Sequence, residues 1–345
     1  MAPHAALYRL DHGVTLTRHA PAPQVDFEPV VTPEISIVIP VYRGAQTVER
    51  LTTALLAEFA GRYRVEIVLV NDGSPDNSAD VCRRLAQARP EIRFVNLSRN
   101  FSEHNAVMAG LNHARGECVV IMDDDFQNPP SEVDKLVHEL RQGYDVVFTH
   151  YAVKQHESWR NLGSQFNSFM ATLLLDKPRD LYLSSFKAIS RFVVDEITKY
   201  DGPYPYIDGL ILRVTRNYSR VLVAHDPRHE GKSGYTLRKL VSLWLNMFTS
   251  FSVLPLRFAS AMGFLFSFLG LAMGIFCVID RLQNPDQPAG WASVIVSLFV
   301  IGGVQLFALG MIGEYLGRLF LKQNGRPQFV VRERVNCASP KSRTP

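Results

Sequence analysis

The sequence predicts an α/β domain with a largely parallel sheet and helices on both faces, followed by two transmembrane helices. Three observations lead to this prediction. Short runs rich in Val and Ile alternate with segments of helical apolar spacing, the pattern of strands joined by crossover helices. Polar residues follow several of these strands, and two long apolar stretches lie near the C-terminus. A chain of 345 residues has room for both parts.

The alternating elements occupy the first part of the chain. Strands are predicted at residues 35–40, 65–70, 93–97 and 118–121, with helices at 47–60, 78–88 and 105–114. Parallel strands need such crossovers, and ligands of parallel sheets bind at the carboxyl ends of the strands. Tyr42, Asp72 and Asp123 follow three of the predicted strands. We therefore expect these residues to meet at one edge of the sheet.

Three adjacent carboxylates, Asp123, Asp124 and Asp125, directly follow the apolar strand at 118–121. Buried charge without compensation is costly, so this arrangement indicates a cation site. If strand alternation continues, Asp123, Asp125 and Gln127 face one side and offer oxygen ligands to Mg²⁺ or Mn²⁺. A solvated strand end without a metal is the open alternative.

Composition excludes several classes of function. The net charge is +4 and the basic residues form no long run, so a nucleic-acid partner is not expected. The four cysteines are far apart in sequence, which argues against a zinc site and a disulfide framework. Residues 1–33 contain no apolar core of signal-peptide length and are expected to form a flexible extension in the cytoplasm.

Two apolar stretches, residues 258–279 and 291–312, approach the about 20 residues that cross a bilayer core. Basic residues precede the first stretch and follow the second, which places both termini in the cytoplasm. Residues 237–248 combine apolar positions at near-helical spacing with two basic residues, which predicts an amphipathic helix at the membrane surface. A core helix of the soluble domain is the alternative. Small residues in the second stretch, such as Gly302 and Gly310, permit either packing within the hairpin or a homo-oligomer.

These observations divide the chain into five parts. They are an N-terminal extension (1–33), a cytosolic catalytic domain (34–234), an amphipathic juxtamembrane helix (235–255), a two-span hairpin (256–318) and a cytosolic C-terminal tail (319–345).

Several motifs in this order resemble one enzyme family. They are Ile37–Tyr42 (IVIPVY), Asn71–Ser74 (NDGS), Arg99–Asn100, Ala109–Gly110, Asp123–Pro130 (DDDFQNPP), Gly231–Tyr235 (GKSGY) and Gly313–Arg318 (GEYLGR). The chain resembles glycosyltransferase family 2 enzymes of the GT-A fold, which is Rossmann-like. More specifically, it is similar to polyprenyl-phosphate (undecaprenyl- or dolichol-phosphate) glycosyltransferases with a C-terminal membrane hairpin. The resemblance extends over about residues 34–331.

The resemblance implies three groups of site residues. Catalytic and metal-binding positions are Asp123 and Asp125, with Gln127 as a further metal ligand. Nucleotide-sugar positions are Pro40, Tyr42, Val70, Asp72, Asp124, Arg228 and Lys232. Candidates for the acceptor phosphate are Lys154, Arg160, Lys187 and Arg191. Asp72 as an Asx-turn residue and Arg228 as a surface ion-pair residue are the structural alternatives.

The sequence departs from the family pattern at a few positions. Arg43 and Gly44 stand where relatives usually have Asn-Glu, and Tyr151 stands where many have Arg. Lys187 replaces an Arg, and Lys lacks the planar bidentate geometry of a guanidinium. The nucleotide base and the donor sugar therefore stay open.

The implied function is metal-dependent inverting transfer of a sugar from a nucleotide-sugar, with UDP-sugar as the expected donor, to undecaprenyl phosphate. It would take place at the cytosolic face of a bacterial inner membrane and serve envelope glycan modification. A phosphate oxygen is already anionic, so Asp208 need not act as a base. Transfer to a lipid hydroxyl, which needs a base, is one alternative. A non-catalytic membrane scaffold that keeps the fold, or a two-span transport partner, is another.

Overall fold

The computed structural model describes residues 32–151, 178, 181–224, 254–283 and 290–337. Several predicted features lie outside the described residues. They are the N-terminal extension up to residue 31, the juxtamembrane helix up to residue 253, and the site candidates Lys154, Arg160, Arg228 and Lys232.

The described residues form one sheet of eight strands. The strands are β1 (Ile35–Val41), β2 (Val65–Asn71), β3 (Ile92–Leu97), β4 (Cys118–Ile121), β5 (Val146–Tyr151), β6 (Lys187–Ser190), β7 (Tyr218–Val223) and β8 (Val331–Val335). Their order across the sheet is β7-β5-β6-β4-β1-β2-β3-β8. Only β6 and β8 run antiparallel to the strands beside them, which confirms the largely parallel sheet.

Within the described residues, six helices pack on the two faces of this sheet. They are α1 (Val48–Phe59), α2 (Ser78–Ala88), α3 (Glu103–His113), α4 (Glu132–Leu140), α5 (Arg191–Ile197) and α6 (Ile207–Val214). Helices α1, α2 and α4 share one apolar core, and α3, α5 and α6 share the other. In α1, Leu51, Leu55 and Phe59 follow a spacing of four residues, so one stripe of the helix is buried against the sheet. The predicted helices on both faces are confirmed.

Two long helices follow the sheet domain. They are α7 (Leu254–Gln283) and α8 (Trp291–Gln323), and they contact each other. Each contains a candidate membrane span of 22 residues, Ala259–Asp280 and Val300–Leu321. At 1.5 Å per residue such a span is about 33 Å long, enough for a bilayer core. Large apolar side chains stay uncovered by protein, for example Phe264 at 80% and Leu306 at 72% exposed.

After α8 the chain returns to the sheet as β8, at the outer edge of β3. The backbone N–H of Ser98 donates to the Val330 carbonyl over 2.8 Å, and β8 continues this pairing in antiparallel register. Arg83 of α2 holds β8 through two bonds to the Glu333 carboxylate, of 2.7 and 2.8 Å. The region predicted as a C-terminal tail therefore contributes a strand to the sheet domain.

Candidate active site

The carboxyl ends of β1, β2 and β4 lie side by side, because these strands are neighbours and parallel. Backbone bonds continue beyond the paired residues. The Asp72 N–H donates to the Val41 carbonyl over 3.0 Å, and the Met122 N–H donates to the Val38 carbonyl over 3.1 Å. Asp72 and the residues after Met122 therefore leave the sheet at one edge, as the polar strand ends predicted.

Asp72 is a buried carboxylate at the end of β2, only 3% exposed. Its Oδ1 accepts the backbone N–H of Phe101 over 2.7 Å. Burial raises the pKa of Asp72 from 3.8 to about 6, although the N–H groups of Phe101 and Ser102 lower it. Gly73 follows with φ of +58°, and a Cβ there would lie 2.4 Å from the Arg99 carbonyl carbon. The loop around Asp72 thus depends on a glycine at position 73.

The end of β1 turns sharply beside this carboxylate. Tyr42 is exposed, and Arg43 has a φ of 60°, which is uncommon for a residue with a side chain. The Arg43 N–H donates to Ser74 Oγ over 3.1 Å. A Cβ at Gly44 would lie 1.9 Å from Asp124 Oδ2. The Asp124 carboxylate therefore lies against Gly44, in space that any side chain at position 44 would need.

The three carboxylates leave β4 through a bent loop. The strand ends at Ile121, and Phe126 has a φ of 59°, so strand alternation does not extend through this segment. Asp123 Oδ2 accepts the Ser185 hydroxyl over 2.7 Å. Asp125 is buried, and its Oδ1 accepts the Gln127 N–H over 3.1 Å. Asp123 and Asp125 are thus held by side-chain and backbone donors rather than by the pleat of a strand.

The aspartates of the loop after β4, with Gln127, offer oxygen atoms as ligands to a cation. Among the described residues, no three His, Cys, Asp or Glu side chains are grouped closely enough to hold a metal ion by themselves. Mg²⁺ is usually bound by one or two carboxylates, with substrate phosphates and water as the remaining ligands. The carboxylates of Asp123 and Asp125 and the amide oxygen of Gln127 are of the type that such a cation takes as ligands.

A buried ion pair lies behind the aspartate loop. The Lys187 ammonium group contacts the Asp208 carboxylate, and the two residues are only 3% and 7% exposed. In the sheet, Lys187 of β6 is opposite Ile121, the last residue of β4. Lys187 is therefore close to the site, but its charge is directed to Asp208. As an acceptor-phosphate ligand it would have to leave a buried partner, which is strongly unfavourable.

Two residues at the start of α3 belong to the same region, and the sequence reasoning did not include them. Glu103 keeps an exposed surface, but desolvation by the surrounding protein and then the charge of Asp123 raise its pKa. The Lys187 ammonium acts in the opposite direction. Burial lowers the pKa of His104 to about 4. The sequence offered one indication of these two residues, which is that they follow a predicted strand, β3, at the carboxyl end where ligands of parallel sheets bind.

Pro40 and Val70, also predicted for the nucleotide site, lie side by side in the sheet but differ in burial. Pro40 is half-buried and pairs with Val70 in the sheet register. Val70 is fully buried, and its Cγ2 lies 3.1 Å from the position that a Cβ on Gly110 of α3 would take. The Val70 side chain therefore belongs to the core, and only its backbone faces the strand end.

Arg191 and Tyr151 are far apart in the fold. The Arg191 guanidinium donates to the Gly116 carbonyl over 2.9 Å, beside the first residues of β4. The structure therefore places Arg191 at the end of β4 opposite the aspartates and does not bring it into the site. Tyr151 is on the site side, because its hydroxyl donates to Asn128 Oδ1 over 3.3 Å and contacts Ser184 Oγ at 3.2 Å.

Comparison with protein families assigns both parts of the chain. Residues 36–198 match the family described as Glycosyl transferase family 2, and residues 254–319 match the GtrB C-terminal hairpin. The chain is 33% identical over 308 residues to an uncharacterized glycosyltransferase of Synechocystis sp., covering 88% of this chain and 96% of the relative.

Relatives with a stated activity are similarly close. The undecaprenyl-phosphate 4-deoxy-4-formamido-L-arabinose transferase of Pseudomonas syringae pv. syringae is 34% identical over 313 residues, covering 89% of this chain and 92% of the relative. A solved structure of glucosyl-3-phosphoglycerate synthase from Mycobacterium tuberculosis, with Mn²⁺, UDP-glucose and phosphoglyceric acid, aligns with a TM-score of 0.48 at 18% identity. It covers 63% of this chain and 78% of that chain. That similarity is too distant to bear on the ligands of the present chain.

Proposed function

The chain belongs to glycosyl transferase family 2 and carries the C-terminal hairpin of GtrB proteins, and from this premise we propose its reaction. The enzyme transfers a sugar from a nucleotide-sugar, with UDP-sugar as the expected donor, to undecaprenyl phosphate. The product is an undecaprenyl-phosphate-linked sugar for envelope glycans. Relatives named for undecaprenyl phosphate support this acceptor at 34% identity over nearly the whole chain.

One observation supports the donor site most directly. Asp72 follows the carboxyl end of β2, and Asp123 and Asp125 follow the carboxyl end of β4, the two parallel strands on either side of β1. Asp72 is a buried acceptor suited to the N–H or hydroxyl groups of a nucleoside. Tyr42 is exposed beside it and offers a ring to the base. A nucleoside at Asp72 would direct its diphosphate towards the aspartates of the β4 loop.

We propose that Asp123, Asp125 and Gln127 hold Mg²⁺ or Mn²⁺ together with the donor diphosphate. When bound, the cation supplies positive charge that stabilises the leaving diphosphate. The Ser185 hydroxyl, 2.7 Å from Asp123, keeps that carboxylate oriented before the donor arrives. Arg228 and Lys232, outside the described residues, are retained as proposed contacts of the same diphosphate because Lys and Arg form charge-assisted bonds to phosphate.

The proposed reaction is a single displacement with inversion. A phosphate oxygen of the acceptor forms a bond to the anomeric carbon while the bond from that carbon to the diphosphate oxygen breaks. The attacking oxygen is anionic near neutral pH, so no protein base has to remove a proton. This agrees with the engagement of Asp208 by Lys187, which leaves Asp208 poorly suited to accept one. Lys154 and Arg160, outside the described residues, are retained as proposed ligands of the acceptor phosphate.

We further propose that α7 and α8 cross the bilayer of a bacterial inner membrane. Their apolar side chains are uncovered by protein over lengths that match a bilayer core. Two crossings return the chain to the side on which it started, and β8 then pairs with β3. The catalytic domain and both hairpin ends would therefore lie on the cytoplasmic side. A periplasm-dependent reporter inserted at residues 284–289 should be active, and the same reporter after residue 337 should not.

Assembly into a homo-oligomer is a further part of the proposal. A Cβ added at Gly302, Gly303 or Gly310 would meet no atom within 4 Å, so these glycines of α8 do not pack against the described part of the same chain. Small residues allow close approach of helices from a second copy. Chemical cross-linking in membranes tests this, because Gly303→Leu should reduce cross-linked species if the glycine face is an interface.

A lipid hydroxyl as acceptor is the second candidate, and Glu103 favours it. Glu103 carries a carboxylate at the start of α3, where the charge of Asp123 acts on it, and a carboxylate is the kind of group that serves as the general base a hydroxyl acceptor needs. Glu103→Gln separates the two reactions. Transfer to a phosphate should fall only a few-fold, whereas transfer to a hydroxyl should fall about 100-fold or more.

The deciding experiment offers the purified chain a panel of nucleotide-sugars with undecaprenyl phosphate and Mg²⁺ or Mn²⁺. Mass spectrometry of the lipid fraction identifies the product. A polyprenyl-phosphate sugar is expected, and its formation should stop with EDTA. A sugar on a glycerolipid hydroxyl instead would refute the proposed acceptor.

A further inference from the structure

The short segment after α8 is bonded to a loop of the catalytic domain. Gln328 donates its side-chain amide to the carbonyl oxygens of Tyr200 and Gly202, over 3.3 and 2.9 Å. Two residues earlier, Arg326 donates to the Tyr204 hydroxyl over 3.2 Å, with its guanidinium carbon 5.7 Å from the Tyr204 ring centre. We refer to residues 200–206 as the α5–α6 loop. The end of the hairpin therefore holds this loop at three points.

The α5–α6 loop is itself tightly folded. The Tyr200 hydroxyl donates to the Tyr204 carbonyl over 3.4 Å. A Cβ on Gly202 would lie 2.3 Å from the Tyr200 hydroxyl oxygen, so the loop closes around a glycine. The three carbonyl bonds at Tyr200, Gly202 and Tyr204 fix the path of the chain just before α6. Displacing Gln328 would release two of them.

This loop leads directly into the buried ion pair. Tyr206 precedes α6, and its ring meets the His104 ring edge-on with 5.1 Å between centres. Asp208 lies in the first turn of α6 and contacts Lys187. The direction in which α6 begins therefore decides where the Asp208 carboxylate meets Lys187.

The ion pair is in turn connected to the aspartate loop. Lys187 is the first residue of β6, and it is opposite Ile121 at the end of β4. Two residues before Lys187, the Ser185 hydroxyl donates to Asp123 over 2.7 Å. A displacement of Lys187 along β6 would therefore carry Ser185 away from Asp123.

We propose that Gln328 is a positioning residue for sugar transfer, with Arg326 in a supporting role. Gln328 acts on the Asp123 carboxylate through the α5–α6 loop, the Asp208–Lys187 pair and Ser185. The inference rests on the proposed function for the role of Asp123. The segment between α8 and β8 would thereby keep the aspartate loop in position.

Two substitutions distinguish donation from packing. Gln328→Ala removes the whole amide, whereas Gln328→Glu keeps the size of the side chain but presents oxygen to two carbonyl oxygens. If positioning depends on the donated hydrogen bonds, both variants should lower kcat about tenfold. The donor KM should change less than twofold, because Asp72 is held by β2 and Phe101 rather than by this loop. If Gln328 acts by packing alone, the kcat of Gln328→Glu should stay near that of the unmodified chain.

Arg332→Ala is the matched control. Arg332 lies in the same returning segment and also donates to a backbone carbonyl, but that carbonyl belongs to Ser98, after β3, over 3.2 Å, rather than to the α5–α6 loop. Its kcat should be unchanged. Equal losses of kcat and melting temperature in Gln328→Ala and Arg332→Ala would reduce Gln328 to a general stabiliser of the fold and overturn the inference.

Hydrogen exchange of the full chain in detergent gives a readout that needs no substrate. Gln328→Ala should speed amide exchange several-fold in peptides covering residues 200–214, and Arg332→Ala should not. Unchanged exchange there overturns the inference even if activity falls. If the unmodified chain makes no polyprenyl-phosphate sugar, the proposed function fails, and the exchange comparison still decides whether Gln328 positions this loop.

Discussion

The Asp72→Asn variant should gain stability relative to the unmodified chain as pH rises. The same substitution should weaken donor binding. In the folded chain the pKa of Asp72 is raised from 3.8 to about 6, mainly by burial. Below pH ~3 the carboxyl group is protonated in both the folded and unfolded states, so its ionisation costs nothing. Above pH ~7 it is ionised in both states, and the folded state bears the full cost of a buried charge. Its contribution to the free energy of unfolding therefore decreases as pH rises through this window.

The magnitude follows from the change in pKa. A difference of about 2 units at 1.36 kcal/mol per unit is about 3 kcal/mol. Asparagine does not ionise, so the stability of Asp72→Asn relative to the unmodified chain should increase by about 3 kcal/mol between pH 3 and pH 7. For a domain of this size, that corresponds to a difference in melting temperature that widens by roughly 6–12 °C. The difference in stability between the two proteins at any one pH depends on the hydrogen-bond partner of the new amide. The change of that difference with pH does not.

Thermal unfolding of both proteins at several pH values tests this expectation, with tryptophan fluorescence as the signal. Asp80→Asn is the control, because the Asp80 side chain on α2 is 75% exposed and should show little trend. The dissociation constant of UDP should rise about tenfold or more in Asp72→Asn, since a charge-assisted acceptor is lost. A melting-temperature difference that stays constant or narrows towards neutral pH would refute the burial of an ionised Asp72.

Four further variants test the site. Asp125→Asn should abolish transfer in a folded protein that still enters the membrane fraction, and near-normal turnover would remove Asp125 from the metal site. Lys187→Met should lower stability by about 3–5 kcal/mol in denaturant unfolding because it leaves Asp208 buried without its cation, whereas Lys187→Met with Asp208→Leu should recover most of that loss. A double variant that stays as unstable as Lys187→Met would contradict the attribution of the loss to the Asp208 charge. Gly44→Ala should reduce kcat/KM for the donor, because its Cβ would lie 1.9 Å from Asp124 Oδ2, and unchanged kinetics would show that the placement of Asp124 is unimportant.

The parallel core was predictable because its strands are buried on both faces. β1, β2 and β4 are nearly continuous runs of Val and Ile, and their predicted limits agree with the structure within about one residue. The meeting of polar residues at their carboxyl ends followed from topology alone. The two apolar helices were predictable by length, although the second candidate span, Val300–Leu321, begins later than the predicted stretch.

The antiparallel strands escaped prediction for a physical reason. β6 has only four residues and begins with Lys187, so its sequence looks like a surface turn. Lys187 is buried only because α6 supplies Asp208 from another part of the chain. β8 reads Val-Arg-Glu-Arg-Val, a half-exposed pattern whose partner strand β3 lies more than two hundred residues earlier. The pattern of a single sequence shows only local periodicity. The formation of β6 and β8 depends instead on residues that are far away in the sequence.

The same distance between partners explains what was missed in the site. Glu103 and His104 lie on α3, at the start of a helix whose sequence has no metal or nucleotide motif. Their relation to Asp123 and Asp208 arises only when β3, β4 and α6 are assembled. The aspartates, by contrast, were recognisable because three carboxylates after an apolar strand are costly unless something binds them.

The return of the chain as β8 has a consequence for how the protein is made. Translation proceeds from the N-terminus, so both apolar helices are synthesised before Val331–Val335 leaves the ribosome. Until then β3 is an unprotected edge strand, open to pairing with other chains. The sheet is therefore completed only after both apolar helices have been synthesised. Chains truncated before residue 331 should aggregate through the uncovered β3, which sedimentation of the truncated and full-length chains would show.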